Sequence, residues 1–399
     1  MKITSLETIR LQEFPNLLWV NLETEDGLTG LGETFFLPQT VEACLHELVA
    51  PRLIGRNGLE IEKLSRDLNF YLGFRSTGAE TRAASAIDIA LWDLYGKASG
   101  QPLAQCLGGF TKDSVRTYNT CAGNTYMRSS GGQKTANYGL ASGASDYDDL
   151  NGFLTRADDL AEDLLSQGIT AMKIWPFDMA AEKTNGQYIS AEDLRAALLP
   201  FEKIRKRVGD RMDIMVEFHS MWQLLPAMQI ARALKDYNTF WHEDPIRMDS
   251  LSSLKRYAEA STAPICASET LGSRFAFRDY LETGVAGVVM LDIGWCGGIT
   301  EARKIAILAD AWHLPVAPHD CTGPVVLAAS THLTLHAPNG LIQESVRAYY
   351  NTWYRDLVNG LPIVSDGHIT VTKAPGHGVV LRNDLETNFT VHRRRTGEA

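Results

Sequence analysis

Three times in the middle of the chain an apolar run ends abruptly in a carboxylate: Ile214-Met215-Val216-Glu217, Phe240-Trp241-His242-Glu243 and Ile265-Cys266-Ala267-Ser268-Glu269. The three glutamates are evenly spaced, with room between them for one strand, one helix and two loops. A short continuous apolar run followed by helical periodicity predicts a buried parallel strand in a βα unit. The same rhythm predicts strands over residues 170–175, 288–292, 315–319 and 341–344. With Ser114-Val115-Arg116-Thr117-Tyr118 in front, the strands number eight, which closes a (β/α)8 TIM-like barrel. Between them, residues 154–167 read as an amphipathic helix ended by Gly168, and Ser190 with Asp193 opens another in capping-box style.

The first hundred residues follow a different pattern. Trp19-Val20-Asn21-Leu22-Glu23-Thr24 alternates apolar and polar, and Asp26-Gly27 supplies turn chemistry before Thr29-Gly30-Leu31-Gly32-Glu33. That predicts an antiparallel hairpin, with Gly27, Gly30 and Gly32 as turn glycines rather than a nucleotide loop, since no phosphate-type helix start follows. Ala84, Ile87, Leu91 and Leu94 then fall on one helical stripe. The expected division is an α+β domain over 1–113, a catalytic barrel over 114–356, and a C-terminal segment, 357–399, that returns to the first domain. A polar, Ser/Gly/Asn-rich insertion over residues 123–149 follows the first barrel strand and is placed either over the site or between subunits.

Charge and cysteines narrow the function classes. A net charge of −10 argues against nucleic acid and anionic membrane as partners, and no apolar run reaches membrane-spanning length. Cys44, Cys106, Cys121, Cys266, Cys296 and Cys321 are scattered without a CxxC, which fits reduced thiols. With a mixed, uncharacteristic N-terminus, the expected location is the cytoplasm.

The strand ends carry the chemistry. In a closed barrel all strand C-termini open on one face, so Glu217, Glu243 and Glu269 converge. Carboxylates at short range raise one another's pKa, and a hard divalent cation with oxygen ligands relieves them. Asp292 and His319 end adjacent strands, and an aspartate on one imidazole nitrogen makes the other a general base. His219, two residues past Glu217, points to the same side if the strand continues. Lys173 is placed to bind or polarise a substrate carboxylate. Glu344 is placed to hydrogen-bond a carboxylate or enolate oxygen if it is protonated.

At these residues the sequence resembles the enolase superfamily, in its mandelate racemase-like branch, and within it the D-galactonate dehydratase type of acid-sugar dehydratase. The carriers are Asp26-Gly27-Leu28-Thr29-Gly30-Leu31-Gly32-Glu33, Ala86-Ile87-Asp88-Ile89-Ala90-Leu91-Trp92-Asp93, Leu107-Gly108-Gly109, Trp241-His242-Glu243-Asp244-Pro245, Gly297-Gly298-Ile299-Thr300-Glu301 and Ala317-Pro318-His319. Glu217-Phe218-His219, Gly323-Pro324 and Gln343-Glu344-Ser345 point to the dehydratase type. The resemblance implies Mg²⁺ on Glu217, Glu243 and Glu269, and the Asp292–His319 pair as the base for the proton α to a carboxylate. It implies His219 as the acid that assists departure of the 3-hydroxyl, and Glu344 as support for the intermediate. The product would be a 2-keto-3-deoxy acid, and the substrate a small-molecule acid sugar. It also implies that the first domain caps the barrel, that the first-hairpin loop around residues 11–18 helps choose substrate, and that the protein is a homo-oligomer.

The sequence departs from that pattern in places. Glu217 stands where aspartate is more usual, Trp175 where racemases carry a second lysine, and Asp244 where glutamate is common; the insertion over 125–149 is atypical. An epimerase, racemase or cycloisomerase would use the same metal and dyad. A metal-independent glycosidase would need only two flanking carboxylates, and a sugar-acid-binding protein would not need a poised base.

Overall fold

The computed structural model describes residues 1–68, 77–128, 134–140 and 147–398. Residues 129–133 and 141–146 of the predicted polar insertion lie outside the described residues.

The N-terminal segment contains the expected antiparallel hairpin, β2 (Phe14–Thr24) and β3 (Thr29–Phe35), preceded by a further strand β1 (Ile3–Leu11) that pairs antiparallel with β2. Gly27 turns the second hairpin at φ 76°, as Asp26-Gly27 predicts. Gly30 and Gly32 have a different cause from the one expected. A Cβ on either would lie 2.1 Å from the Ala90 carbonyl oxygen or 1.9 Å from that of Ala86. They are glycine because β3 lies directly on the helix Ala79–Ser99. That helix is buried beyond the single predicted stripe, including Ala83, Ala86, Ile89 and Ala90, while Ala84 is only half-buried. The sheet packs on one side of it and the helix Gly298–Ala311 on another.

The parallel strands follow the sequence rhythm. β4 (Val115–Thr120), β5 (Ala171–Ile174), β6 (Asp213–Glu217), β7 (Trp241–Glu243), β8 (Ile265–Ala267) and β9 (Ala286–Val289) pair parallel, each with the next. Val316 bridges to Val289 and to Gly340, and β10 (Gln343–Ser345) pairs parallel with β4. Tyr118, Ala171, Met215, Trp241, Cys266, Val288, Ala317 and Ile342 form a core cluster of their own, apart from the main core. Such alternation of side chains, one set toward a shared interior, is what strand geometry produces.

The tail adds β11 (Val358–Asn359) paired with β14 (Val380–Leu381), and β12 (Ile363–Ser365) paired with β13 (His368–Thr370), which runs beside β4. β15 (Val391–Gly397) pairs antiparallel with β1 from Leu11 to Ser5.

Three expectations are corrected. The helix predicted over 154–167 is two helices, Asp149–Thr155 and Ala157–Ser166, broken where Arg156 leaves helical geometry at φ −135°. The strand predicted over 315–319 is reduced to the bridge at Val316, although Ala317 N and His319 N still donate to Val289 O and Leu291 O. The loop expected around residues 11–18 is mostly strand: β1 and β2 are joined by Gln12-Glu13 alone, and Phe14 is buried against Trp353 and Phe389.

Buried carboxylates fasten the N-terminal segment to the helices behind the strand ends. Asp88 accepts from Thr300 N (2.8 Å), and Glu33 accepts from Val325 N (3.0 Å), Val326 N (2.8 Å) and Trp19 Nε1 (2.7 Å). Glu33 thereby caps the helix Pro324–His336, whose free N–H groups favour an anion. All six cysteines are unpaired. Among the described residues no helix is long and apolar enough to cross a membrane.

Candidate active site

Parallel pairing brings the predicted residues to one end of the ladder. Glu217 closes β6 and Glu243 closes β7, and the two are paired in register. Glu269 follows β8 and Asp292 follows β9, while Lys173 lies in β5 and Glu344 in β10. One carboxylate oxygen from each of Glu217, Glu243 and Glu269 falls within a 4.8 Å cluster.

Each glutamate is aimed by its surroundings. Glu217 Oε1 accepts from its neighbours Phe218 N (2.9 Å) and His219 N (2.6 Å), and Glu243 Oε2 accepts from Trp241 Nε1 (2.9 Å). Lys173 Nζ contacts Glu243 Oε1 and lies 2.9 Å from Glu344 Oε1 and 3.5 Å from Glu217 Oε2. Burial alone would strip Lys173 of its proton, but the surrounding carboxylates outweigh it and hold the ammonium firmly charged. One cation does not balance this many carboxylates. Burial pushes Glu217 up to about 7, and burial with Glu217 alongside pushes Glu243 well above the carboxylate range. An oxygen-only donor set, with Glu217 and Glu243 buried and Glu269 partly so, and short of positive charge, fits a hard divalent cation.

His319 joins that cluster to Asp292. Its Nδ1 lies 2.7 Å from Asp292 Oδ2 and its Nε2 lies 2.9 Å from Glu269 Oε2. Burial opposes a charge on His319, yet Glu269 and Glu344 raise its pKa well above the usual histidine value. Burial likewise opposes the Glu269 charge, but His319 brings that carboxyl down to about 2.

Two sequence expectations change at this site. β6 stops at Glu217, so His219 does not continue the strand; it sits in a left-handed turn at φ 48°, followed by Ser220 at 56°. Its Nδ1 lies 2.7 Å from Asp178 Oδ2, and the same oxygen accepts from Tyr138 Oη at 2.6 Å. Glu344 is arranged as an acceptor rather than as a donor. Although burial works against its charge, Lys173 and His319 lower its pKa, and it accepts from Thr120 Oγ1 and from Asp320 N (2.7 Å).

The cavity at this end is lined by Lys173, Glu217, His219, Glu269 and His319, with Thr120 and a largely aromatic remainder that includes Phe36, Tyr126, Trp175 and Trp295. Trp295 lies 5.2 Å from the His319 ring, centroid to centroid. Arg82 stacks over its indole at 4.3 Å. Phe36 enters at φ 68°, a conformation a bulky residue adopts only when its surroundings impose it. The first hairpin reaches this region indirectly, through Asn16 Nδ2 donating to Met127 O at 2.7 Å. Sequence reasoning missed Asp178, Tyr138, Thr120, Phe36 and Trp295. All but Thr120 lie outside the strands, where no periodicity marks them.

Comparison with known proteins covers nearly the whole chain. Residues 3–108 match the mandelate racemase / muconate lactonizing enzyme N-terminal domain family, and residues 156–385 match the enolase C-terminal domain-like family. The chain is 31% identical to a D-galactonate dehydratase of Ralstonia nicotianae, over 99% of this chain and 95% of that protein. It is 32% identical to a D-galactonate dehydratase of Xanthomonas campestris, over 96% and 93%. Among solved structures, an enolase of the mandelate racemase subgroup from Agrobacterium tumefaciens is 63% identical with a TM-score of 0.88, covering 100% of this chain and 99% of that one. An enolase protein from Sargasso Sea environmental sequencing is 44% identical at the same TM-score and coverage.

Proposed function

The chain belongs to the mandelate racemase-like branch of the enolase superfamily, and from that premise we propose that it is a Mg²⁺-dependent acid-sugar dehydratase. The family includes dehydratases, and the D-galactonate dehydratases are relatives over nearly the full length. The observation that carries the reading is a single contact: Glu269, one of three clustered carboxylates, reaches the nitrogen of His319 opposite the one held by Asp292. In this reading the parallel ladder closes as a (β/α)8 barrel over 114–356, covered by the segments 1–113 and 357–399.

Mg²⁺ held by Glu217, Glu243 and Glu269 would supply positive charge beside the substrate carboxylate, where negative charge grows as the α-proton leaves. Lys173 adds fixed positive charge at the same place. Glu269 raises the pKa of His319, so with Glu269 committed to a cation Nε2 would be free to act as base. Asp292 keeps the other imidazole proton on Nδ1. His319 takes the proton from C2, and the electron pair spreads into the carboxylate. The pair then returns to form a C2=C3 bond as the C3–O bond breaks. His219 gives a proton to the departing hydroxyl, which leaves as water, and the enol tautomerises to a 2-keto-3-deoxy acid.

The presence of two imidazoles on one cavity also supports a second reading, epimerisation, in which His219 delivers its proton to C2 instead. A Mg²⁺-dependent screen of a stereochemically complete acid-sugar library, with semicarbazide detection of 2-keto acid, separates the two. Keto product that vanishes with EDTA supports dehydration. Deuterium entering C2 with inversion and without keto product supports epimerisation and overturns the first reading.

A further inference from the structure

The ring of His219 is fixed by groups outside the strand ladder. Asp178 opens the helix Asp178–Thr184 after β5 and is fully buried. Its Oδ2 receives both His219 Nδ1 at 2.7 Å and Tyr138 Oη at 2.6 Å. Tyr138 is also buried, and it belongs to the polar loop after β4. The same stretch of loop is held to that helix a second time, by Thr135 N donating to Glu182 Oε2 at 3.1 Å. Trp175 walls the imidazole at 5.6 Å in an edge-on arrangement.

A carboxylate oxygen can only accept. The imidazole nitrogen facing Asp178 therefore carries a proton, and Nε2 is the nitrogen left for chemistry in the cavity. The main chain around His219 turns left-handed and is held by Phe218 N donating to Glu243 O and Ser220 N to Asp244 O, but none of these contacts sets the angle of the ring. Asp178 is what aims it.

We propose that Asp178 is the positioning residue of His219, and that Tyr138 ties that function to the seating of residues 134–140. That short segment then governs loss of the 3-hydroxyl while leaving α-proton removal by His319 untouched. This assignment rests on the reading of His219 as the proton donor. A purely structural Asp178 would instead support both half-reactions equally.

The test compares Asp178→Asn, Asp178→Ala and Tyr138→Phe with the unaltered enzyme in D2O, following keto acid and deuterium in recovered substrate together. For the Asp178 variants, kcat for keto acid should fall roughly 10–100-fold, the scale of lost orienting partners. KM should stay within about twofold, and deuterium wash-in should persist, so the ratio of exchange to elimination rises. Tyr138→Phe should move the ratio the same way by about 3–10-fold. A parallel fall of exchange and elimination in these variants overturns the proposal. A second arm needs no turnover: ¹⁵N spectra of the imidazoles, with His219 assigned by its absence in His219→Asn. These should show a protonated Nδ1 that loses its preference in Asp178→Ala, and an unchanged tautomer overturns the proposal. Failure of the dehydratase reading looks different, since the unaltered enzyme then forms no keto acid from any acid while the spectra still decide how His219 is held.

Discussion

The two histidines of the cavity are each paired with an aspartate at the same 2.7 Å, yet they are built in different ways. His319 and Asp292 follow neighbouring segments of the parallel ladder, and His319 N is itself bonded to Leu291 O, so the fold sets their separation. His219 sits beyond the end of β6 in a left-handed turn, and its aspartate comes from a helix start after another strand. Tyr138 from a third segment completes it. The ladder places both members of the first pair, whereas in the second it holds only the main chain around His219, through Phe218 N to Glu243 O and Ser220 N to Asp244 O, and the partners of the ring come from segments outside it. Such a division lets one step of a reaction be invariant while the other is adjusted through loop sequence.

The contrast can be broken most severely on the scaffold side. Asp292→Asn removes the acceptor that keeps His319 in the base tautomer, and should slow both deuterium exchange and keto formation by about 10³-fold or more. Equal loss of both is the signature; a variant that exchanges normally would remove Asp292 from the base. Next in size, Glu269→Gln replaces one of the three clustered carboxylates, the partner of His319 Nε2, with a neutral amide. Mg²⁺ affinity, read by calorimetry, should weaken by roughly 100-fold. Unchanged affinity would place the cation elsewhere.

A smaller effect sharpens the electrostatic side of the comparison. Glu217 is raised from 4.5 to about 7 by burial, so between those values the folded metal-free chain holds a proton that the unfolded chain releases. Its contribution to stability therefore declines as pH rises through that window. A cation that takes up the carboxylate displaces the proton and restores the loss. The rise in Tm caused by Mg²⁺ should accordingly grow from about pH 5 to about pH 8. A rise that is flat or shrinks with pH would show that Glu217 and Glu243 are not where the cation binds.

The same divide between ladder and loops separates what was legible in the sequence from what was not. Glu217, Glu243, Glu269, Lys173, Asp292, His319 and Glu344 were legible because each sits in or just after a strand-like run of a repeating unit. Parallel pairing turns that linear repeat into one surface. The state of Glu344 was not legible, because its charge is decided by Lys173 and Thr120 on other strands. Asp178 was not legible either, since no period of the parallel repeat brings the start of the helix Asp178–Thr184 to His219. Gly30 and Gly32 were visible as glycines, but their cause, the backbone of the helix Ala79–Ser99 against β3, is a tertiary contact. The break at Arg156 interrupts an amphipathic pattern that runs on across it, so periodicity alone could not place it.

The most direct measurement sets His319→Asn beside His219→Asn in D2O, with Mg²⁺ and an acid that the unaltered enzyme dehydrates. Keto acid and deuterium at C2 of recovered substrate are followed in each. His319→Asn should show neither, because the proton is never removed. His219→Asn should continue to take up deuterium while keto acid falls by about 10²-fold or more. If His219→Asn loses exchange as His319→Asn does, the two histidines do not divide the reaction, and the assignment of one as base and the other as acid is contradicted.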